Sequence, residues 1–274
     1  MPPISRSRAR IESILLLLII VLAGVIGWRW RPTAHAAKFL IIYMLLLVAF
    51  AAIAGHIITG VWRGVLIDAR NKISLSRLQM LMWTVLLLSG FLVAVLINIR
   101  RSPTPLSISL DETLWALMGI STASLVGSPL IKNSKKNEKP HPDATAKTMA
   151  EMANQGVDIT HVKAEGKILV NEKPEDASWT DIFKGEETGN GANLDLAKIQ
   201  MFFFTLVTWF VYALAIGNLL RNGAHGADAI TAFPPVDNGM VALLGISHAG
   251  YLANKAVPHT PDPPPNTDDS APDR

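Results

Sequence analysis

Two stretches decide the architecture: "SLSRLQMLMWT" (74–84) and "DLAKIQMFFFT" (195–205), nearly the same eleven letters written twice in one chain. Leu75 pairs with Leu196, Arg77 with Lys198, Gln79 with Gln200, Met80 with Met201, and Thr84 with Thr205. Each opens an apolar run. A bilayer core about 30 Å thick needs about 18 or more apolar residues at 1.5 Å rise per residue. Six stretches of the sequence are expected to span on that basis: 12–28, 39–61, 78–98, 113–131, 199–220 and 238–254.

The repeat is larger than its opening letters. "DETLWALMGISTASLVG" (111–127) follows the first copy, and "DNGMVALLGISHAGYLA" (237–253) follows the second. Asp111 pairs with Asp237, Ala116 with Ala242, and Gly119-Ile120-Ser121 with Gly245-Ile246-Ser247. Polar Gln, Thr, Asp and Ser are matched as well as Leu, which argues against chance likeness between two apolar helices. Each unit is a helix out, a loop and a helix back, in one orientation, so the repeat is parallel and not inverted.

Composition supports a membrane reading. Half the residues are apolar and 17% are charged, against roughly a quarter charged in a soluble domain. There is no cysteine, which removes disulfides, thiolate metal sites and cysteine nucleophiles. The seven histidines form no HxxxH or HExxH pair, so no zinc site and no other metal or cofactor is expected. A pI near 9.2 does not point to nucleic acid, because the basic residues sit beside the apolar runs, where they set membrane orientation.

Arg6, Arg8 and Arg10, then Arg63, Arg70, Lys72 and Arg77, then Lys132, Lys135, Lys136 and Lys139 fall in alternate loops. The positive-inside rule therefore puts both termini and region 132–198 in the cytoplasm of a bacterial inner membrane. The start, "MPPISRSRAR" before "ILLLLIIVLAGVIGW", resembles a signal peptide with "AHA" (34–36) as its cleavage site. "WRWR" (28–31) intervenes, which favours an uncleaved helix.

The expected organisation is two leading helices (1–61), a first repeat (62–131), a cytoplasmic insert (132–193), a second repeat (194–255) and a disordered Pro-rich acidic tail (256–274). Within the insert, "ATAKTMAEMAN" (144–154) reads as a helix, "GKILVNEK" (166–173) as a strand or hairpin arm, and "SWTDIF" (178–183) as a short interfacial segment. "GEETGNGAN" (185–193) lacks the GK[ST] of a phosphate loop, so nucleotide binding is discarded.

Candidate polar positions are few. Gln79 and Gln200 are expected to bond another helix or face water, since an amide is costly in hydrocarbon. Arg77 and Lys198 are expected to snorkel towards headgroups. His56 and His248 are the histidines inside apolar runs, and His248 is the better candidate for a gate, relay or pore lining. Asp111 and Asp237 suit helix caps, or an ion-selectivity ring in an oligomer. Gly119, Ala123 and Gly127, matched by Gly245, Ala249 and Ala253, are expected to form a close packing seam. No catalytic dyad or serine constellation appears, so an enzyme is not expected.

The pattern "RNKISLSRLQM…WT", "DIFKGEETGN…LDLAKIQM…T" and "LLGISHAGYL" resembles uncharacterised bacterial polytopic inner-membrane proteins, over roughly residues 63–255. The resemblance implies no reaction, ligand or cofactor. The sequence thus points to an all-α polytopic membrane bundle, in contact with the lipid bilayer and forming a homo-oligomer or a subunit of a membrane complex. Two functions fit it: an oligomeric channel or pore-forming subunit, or a non-transporting scaffold that recruits a cytoplasmic protein through the insert and tail.

Overall fold

The computed structural model describes residues 6–29 and 35–262. Readings that rest on Trp30, Arg31, Ala34 and the tail beyond residue 262 lie outside the described residues. Seven helices and one two-stranded hairpin make up the described chain. Four helices are long and apolar enough to cross a membrane: α2 (Ala36–Thr59), α3 (Leu75–Asn98), α4 (Glu112–Lys136) and α6 (Leu196–His225). They mark a membrane-embedded helical protein. The apolar part of α1 (Arg6–Arg29) is shorter, covering Ile11–Gly27. Helix α7 (Asn238–Ala256) has 19 residues and includes Ser247, His248 and Asn254, which lowers its hydropathy. Six spans are thus expected from sequence, and four described helices combine the length with the hydropathy.

Helices α3 and α6 form the centre and run parallel. Gln79 meets Thr205, Trp209 donates to the Met82 carbonyl at 2.9 Å, and Gly90 faces Ile216. Trp83, Leu86, Val93, Tyr212, Ile216 and Leu220 fill the space between them and are fully or almost fully buried. Helices α4 and α7 pack against each other with the same sense, Ser124 on His248 and Ser128 on Tyr251. Helix α2 covers α3 and α6 on another side, and α1 leans on α2, tied by Tyr43 Oη donating to the Ala23 carbonyl at 3.0 Å. Leu45, Ile58, Phe203, Phe210, Leu214 and Ile246 point outwards, a pattern that suits hydrocarbon as solvent.

The insert folds onto one end of this bundle. It contains α5 (Pro142–Asn154) and an antiparallel hairpin, β1 (Val162–Glu165) with β2 (Ile168–Asn171), in the register Lys163↔Val170. The helix and the strand arm read from 144–154 and 166–173 fall on α5 and β2. Met152, Leu169 and Ala192 form a small core of their own. Gly166 turns the hairpin with φ +58°, and a side chain there would collide with the Lys136 carbonyl at the end of α4. Only glycine meets both conditions cheaply. After the hairpin, Ser178 caps a short 3-10 turn, Trp179–Ile182, through a capping box with Asp181. That turn buries Ile182, leaves Trp179 exposed, and sets Phe183 edge-on against Phe202 of α6 at 5.2 Å.

Candidate functional site: a buried ionic hub and its adjoining cavity

At the insert end, charged side chains from five separate parts of the chain converge. Glu186 of the insert receives Arg70 from the loop before α3 at 3.0 Å, Lys198 of α6 at 3.0 Å and Lys255 of α7 at 2.6 Å. Arg70 also forks onto Asp68 through Nε and Nη2, and Lys132 of α4 reaches the same carboxylate at 2.7 Å. Next door, Glu187 accepts Lys135 of α4 at 2.5 Å and the backbone amides of His259 and Thr260. Lys135 also donates to the Lys255 and Val257 carbonyls, satisfying acceptors at the end of α7 that lack helical partners. Two adjacent glutamates therefore hold the insert, α4, α6, α7 and the start of the tail together.

The cluster is largely buried. Arg70 is 3% exposed and Lys198 2% exposed. Burying charge is tolerated only when it is paired and bonded. Burial alone would raise the Glu186 carboxyl, but Arg70, Lys198, Lys255 and Lys132 hold it well below the usual carboxylate range. Asp68 behaves alike: burial opposes its ionisation, and Arg70 with Lys132 overcomes that and lowers it. Lys72 is the counter-case, its ammonium pushed down to about 8 by burial although Asp181 pulls the other way. The buried cations Arg70, Lys72, Lys132, Lys135, Lys198 and Lys255 face four carboxylates, the buried Glu187 and the partly buried Asp68, Glu186 and Asp181. Asp181 stands nearby, with its Oδ2 occupied by the Ile73 and Ser178 amides. Cations are in excess.

Beside the hub, between α3 and α4, lies an open cavity of about 510 Å³. Its lining is cationic at Arg70, Arg77, Lys132 and Lys136 and apolar at Val65, Met80, Leu81 and Leu125. Pro129 of α4 also lines it and carries no amide hydrogen, so the helix lacks one of its ladder bonds there. Among the described residues no group of three or more His, Asp or Glu is arranged to hold a metal ion.

The sequence-derived candidates are distributed differently from the expectation. Gln79 is buried and donates to Thr205 Oγ1 at 2.7 Å, whereas Gln200 is exposed on the outer surface of α6. The two amides do not share an environment. Their basic neighbours are reversed: Arg77 is exposed, but Lys198 is buried, donating to the Lys184 carbonyl at 2.6 Å. Snorkelling of Lys198 is thus corrected, since a carboxylate and a carbonyl from the insert replace the headgroups. Asp111 caps α4 by accepting from Thr113, and Asp237 caps α7 by accepting from Gly239 and Met240. His248 is buried with Nδ1 2.6 Å from Ser124 Oγ. His56 stacks on Trp62 at 4.5 Å and meets Glu12 at 2.9 Å.

The expected glycine and alanine seam lies only partly where α4 and α7 touch. Gly119, Ala123, Ala249 and Ala253 lie on exposed faces, Gly127 meets Leu252, and Gly245 meets Ile120 only loosely. The contact is also made by Leu117, Ser121, Ser124 and Ser128 against Leu244, Ser247, His248 and Tyr251. Serine is as short as the spacing requires and can also bond across the interface.

Sequence reasoning passed over Glu186 and Glu187 because they sit in the stretch discarded as a failed phosphate loop. A usable signal existed. Lysines at the ends of α4, α6 and α7 crowd one side of the bundle, and "GEET" (185–188) puts two acids in the nearby insert. Comparison with protein-family models, with curated proteins and with solved structures returns no match.

Proposed function

We propose that this protein is a non-transporting scaffold of the bacterial inner membrane, which holds its insert rigidly at the cytoplasmic surface as a platform for a protein partner. The observation that carries this reading is the Glu186 hub, in which one carboxylate ties the insert to the pre-α3 loop, α6 and α7. A hub of this kind costs several kcal/mol of desolvation per ion, and it fixes the position of one surface relative to the membrane. In the same reading α1 and α7 also cross the bilayer, giving six spans, with both termini and the insert on the side where basic residues gather. The tandem units 62–131 and 194–255 then stand as a parallel pair, supported by the parallel contacts of α3 with α6 and α4 with α7. The scaffold is not an enzyme.

The alternative, a channel, loses support from the use made of the intramembrane polar groups. Gln79 Nε2 donates to Thr205 and His248 Nδ1 pairs with Ser124, both within the helix bundle. Ion flux through liposomes containing the purified protein tests the choice. A scaffold gives flux no greater than protein-free vesicles. Flux above that level that is altered by Gln79→Leu or His248→Ala would overturn the reading in favour of a pore.

A further inference from the structure

The cavity between α3 and α4 combines features that the scaffold reading does not use. Its apolar wall, from Met80 and Leu81 to Leu125, belongs to helices long enough to cross a membrane. Its cationic residues stand at the ends of those same helices, where the six-span reading puts lipid headgroups. Arg70 presents a buried Nη1 with no partner, and Ser76, 1% exposed, has a buried Oγ with none. No side chain caps the first turn of α3, so helix-start amides and the positive end of the dipole add to the attraction for an anion. Asp68 also lines the cavity, but its Oδ2 is taken by Arg70 and Lys132 and its Oδ1 by the Arg70 amide. Lys136 is shared with the more exposed Glu165. The net field of the cationic wall is positive.

We propose that this cavity binds one anionic phospholipid, with its phosphate against Arg70, Arg77 and Lys132 and one acyl chain along Met80, Leu81 and Leu125. The commitment to lipid over a soluble phosphate rests on the apolar wall, which a small anion would leave uncovered. A volume of about 510 Å³ lies in the range of ligand-binding clefts. The unpaired buried guanidinium nitrogen supplies the specificity: a zwitterionic headgroup brings its own cation to a place already rich in cations.

The test uses the full chain purified in detergent and titrated with phosphatidylglycerol or phosphatidylcholine, with bound lipid counted by native mass spectrometry. The wild type is expected to retain one phosphatidylglycerol and to prefer it clearly over phosphatidylcholine. Removing two of the lining cations in Arg77→Ala/Lys136→Ala, at about fivefold per charge, is expected to weaken phosphatidylglycerol binding about 25-fold. Leu125→Trp, which fills the apolar wall without touching the ionic hub, is expected to abolish the single-lipid peak. Equal retention of the two lipids by wild type would overturn the proposal. So would unchanged phosphatidylglycerol binding in the double variant, provided its unfolding midpoint matches the wild type. Thermal stabilisation by inorganic phosphate as large as that by the lipid would overturn the lipid assignment.

Discussion

The two ends of the helix bundle are closed by different chemistry. At the insert end, Glu186 and Glu187 gather arginine and lysine side chains in a largely buried cluster. At the opposite end, neutral groups dominate. Asn98 closes a two-bond pair with Ile230, donating to its carbonyl at 2.7 Å and accepting from its amide at 2.8 Å. Thr113 Oγ1 accepts from the Val236 amide, and Arg101 caps the Gly223 and Ala224 carbonyls of α6. Short loops close the second end, so backbone partners lie within reach. The first end must hold a 59-residue excursion, 137–195, that returns to the bundle, and long charged side chains bridge that larger gap. The charged end should therefore respond to pH and charge substitution, and the neutral end should not.

The largest expected effect is at the hub. Glu186→Gln removes the carboxylate that three buried cations share, and breaking a buried pair costs about 3–5 kcal/mol. Denaturant unfolding of the variant should show this loss, along with early proteolysis between residues 137 and 195. Acid should reproduce the effect in the wild type. The folded carboxyl of Glu186 lies below its unfolded value of about 4.3, so its stabilisation is complete above that pH and drains away as pH falls through the folded value. The insert should become protease-sensitive in acid, as pH falls below the unfolded carboxylate value and through the folded one, while the Asn98–Ile230 closure, which does not titrate, persists.

Asn98→Ala comes next. It strands the buried Ile230 amide and carbonyl, at a cost of about 1–3 kcal/mol, and this loss should be the same at pH 5 and pH 8. A pH-dependent loss would break the contrast between the two ends.

Lys72 sharpens the same contrast with the opposite sign. Its folded value of about 8 lies below the unfolded one of about 10.4. Between those values the folded state has released a proton that the unfolded chain keeps, so stability rises with pH across that window. Lys72→Met should remove that slope and stabilise the protein at pH 7 by about 1 kcal/mol or more. Unfolding midpoints measured from pH 7 to pH 10 check both statements.

The smallest effects concern the repeat. Gln79→Leu should cost about 0.6 kcal/mol, the mean for a bond between membrane helices, whereas Gln200→Leu on the exposed face should leave the unfolding midpoint unchanged.

That last pair shows how far the sequence could be read. Apolar runs disclosed α2, α3, α4 and α6 because helices in lipid must be both long and apolar, and the aspartates before "LWALMGIS" and "MVALLGIS" disclosed two helix starts through cap chemistry. The duplicated letters in "LSRLQM" and "LAKIQM" did not disclose environment. Arg77 and Lys198 match in sequence, yet the insert lies over only one of them, so one is exposed and the other buried. The hub was illegible for a related reason. Asp68, Glu186 and Lys255 are far apart in the chain, and nothing in their local spacing says that folding brings them within 3 Å of shared partners. Serines 121, 124 and 128 carried helical spacing, but Gly119 and Ala123, on a different face, offered the more familiar small-residue pattern.

The central claim is that the insert is fixed to the bundle through Glu186, and hydrogen–deuterium exchange of the wild type and Glu186→Gln in lipid nanodiscs tests it most directly. In the wild type, the amides of Leu169 and Thr188, which donate to Glu186 and Lys167 carbonyls, should exchange slowly. In Glu186→Gln, protection should collapse across 165–195 while α3 and α6 keep theirs. Fast exchange of 165–195 in the wild type, or unchanged protection in the variant, would contradict the account.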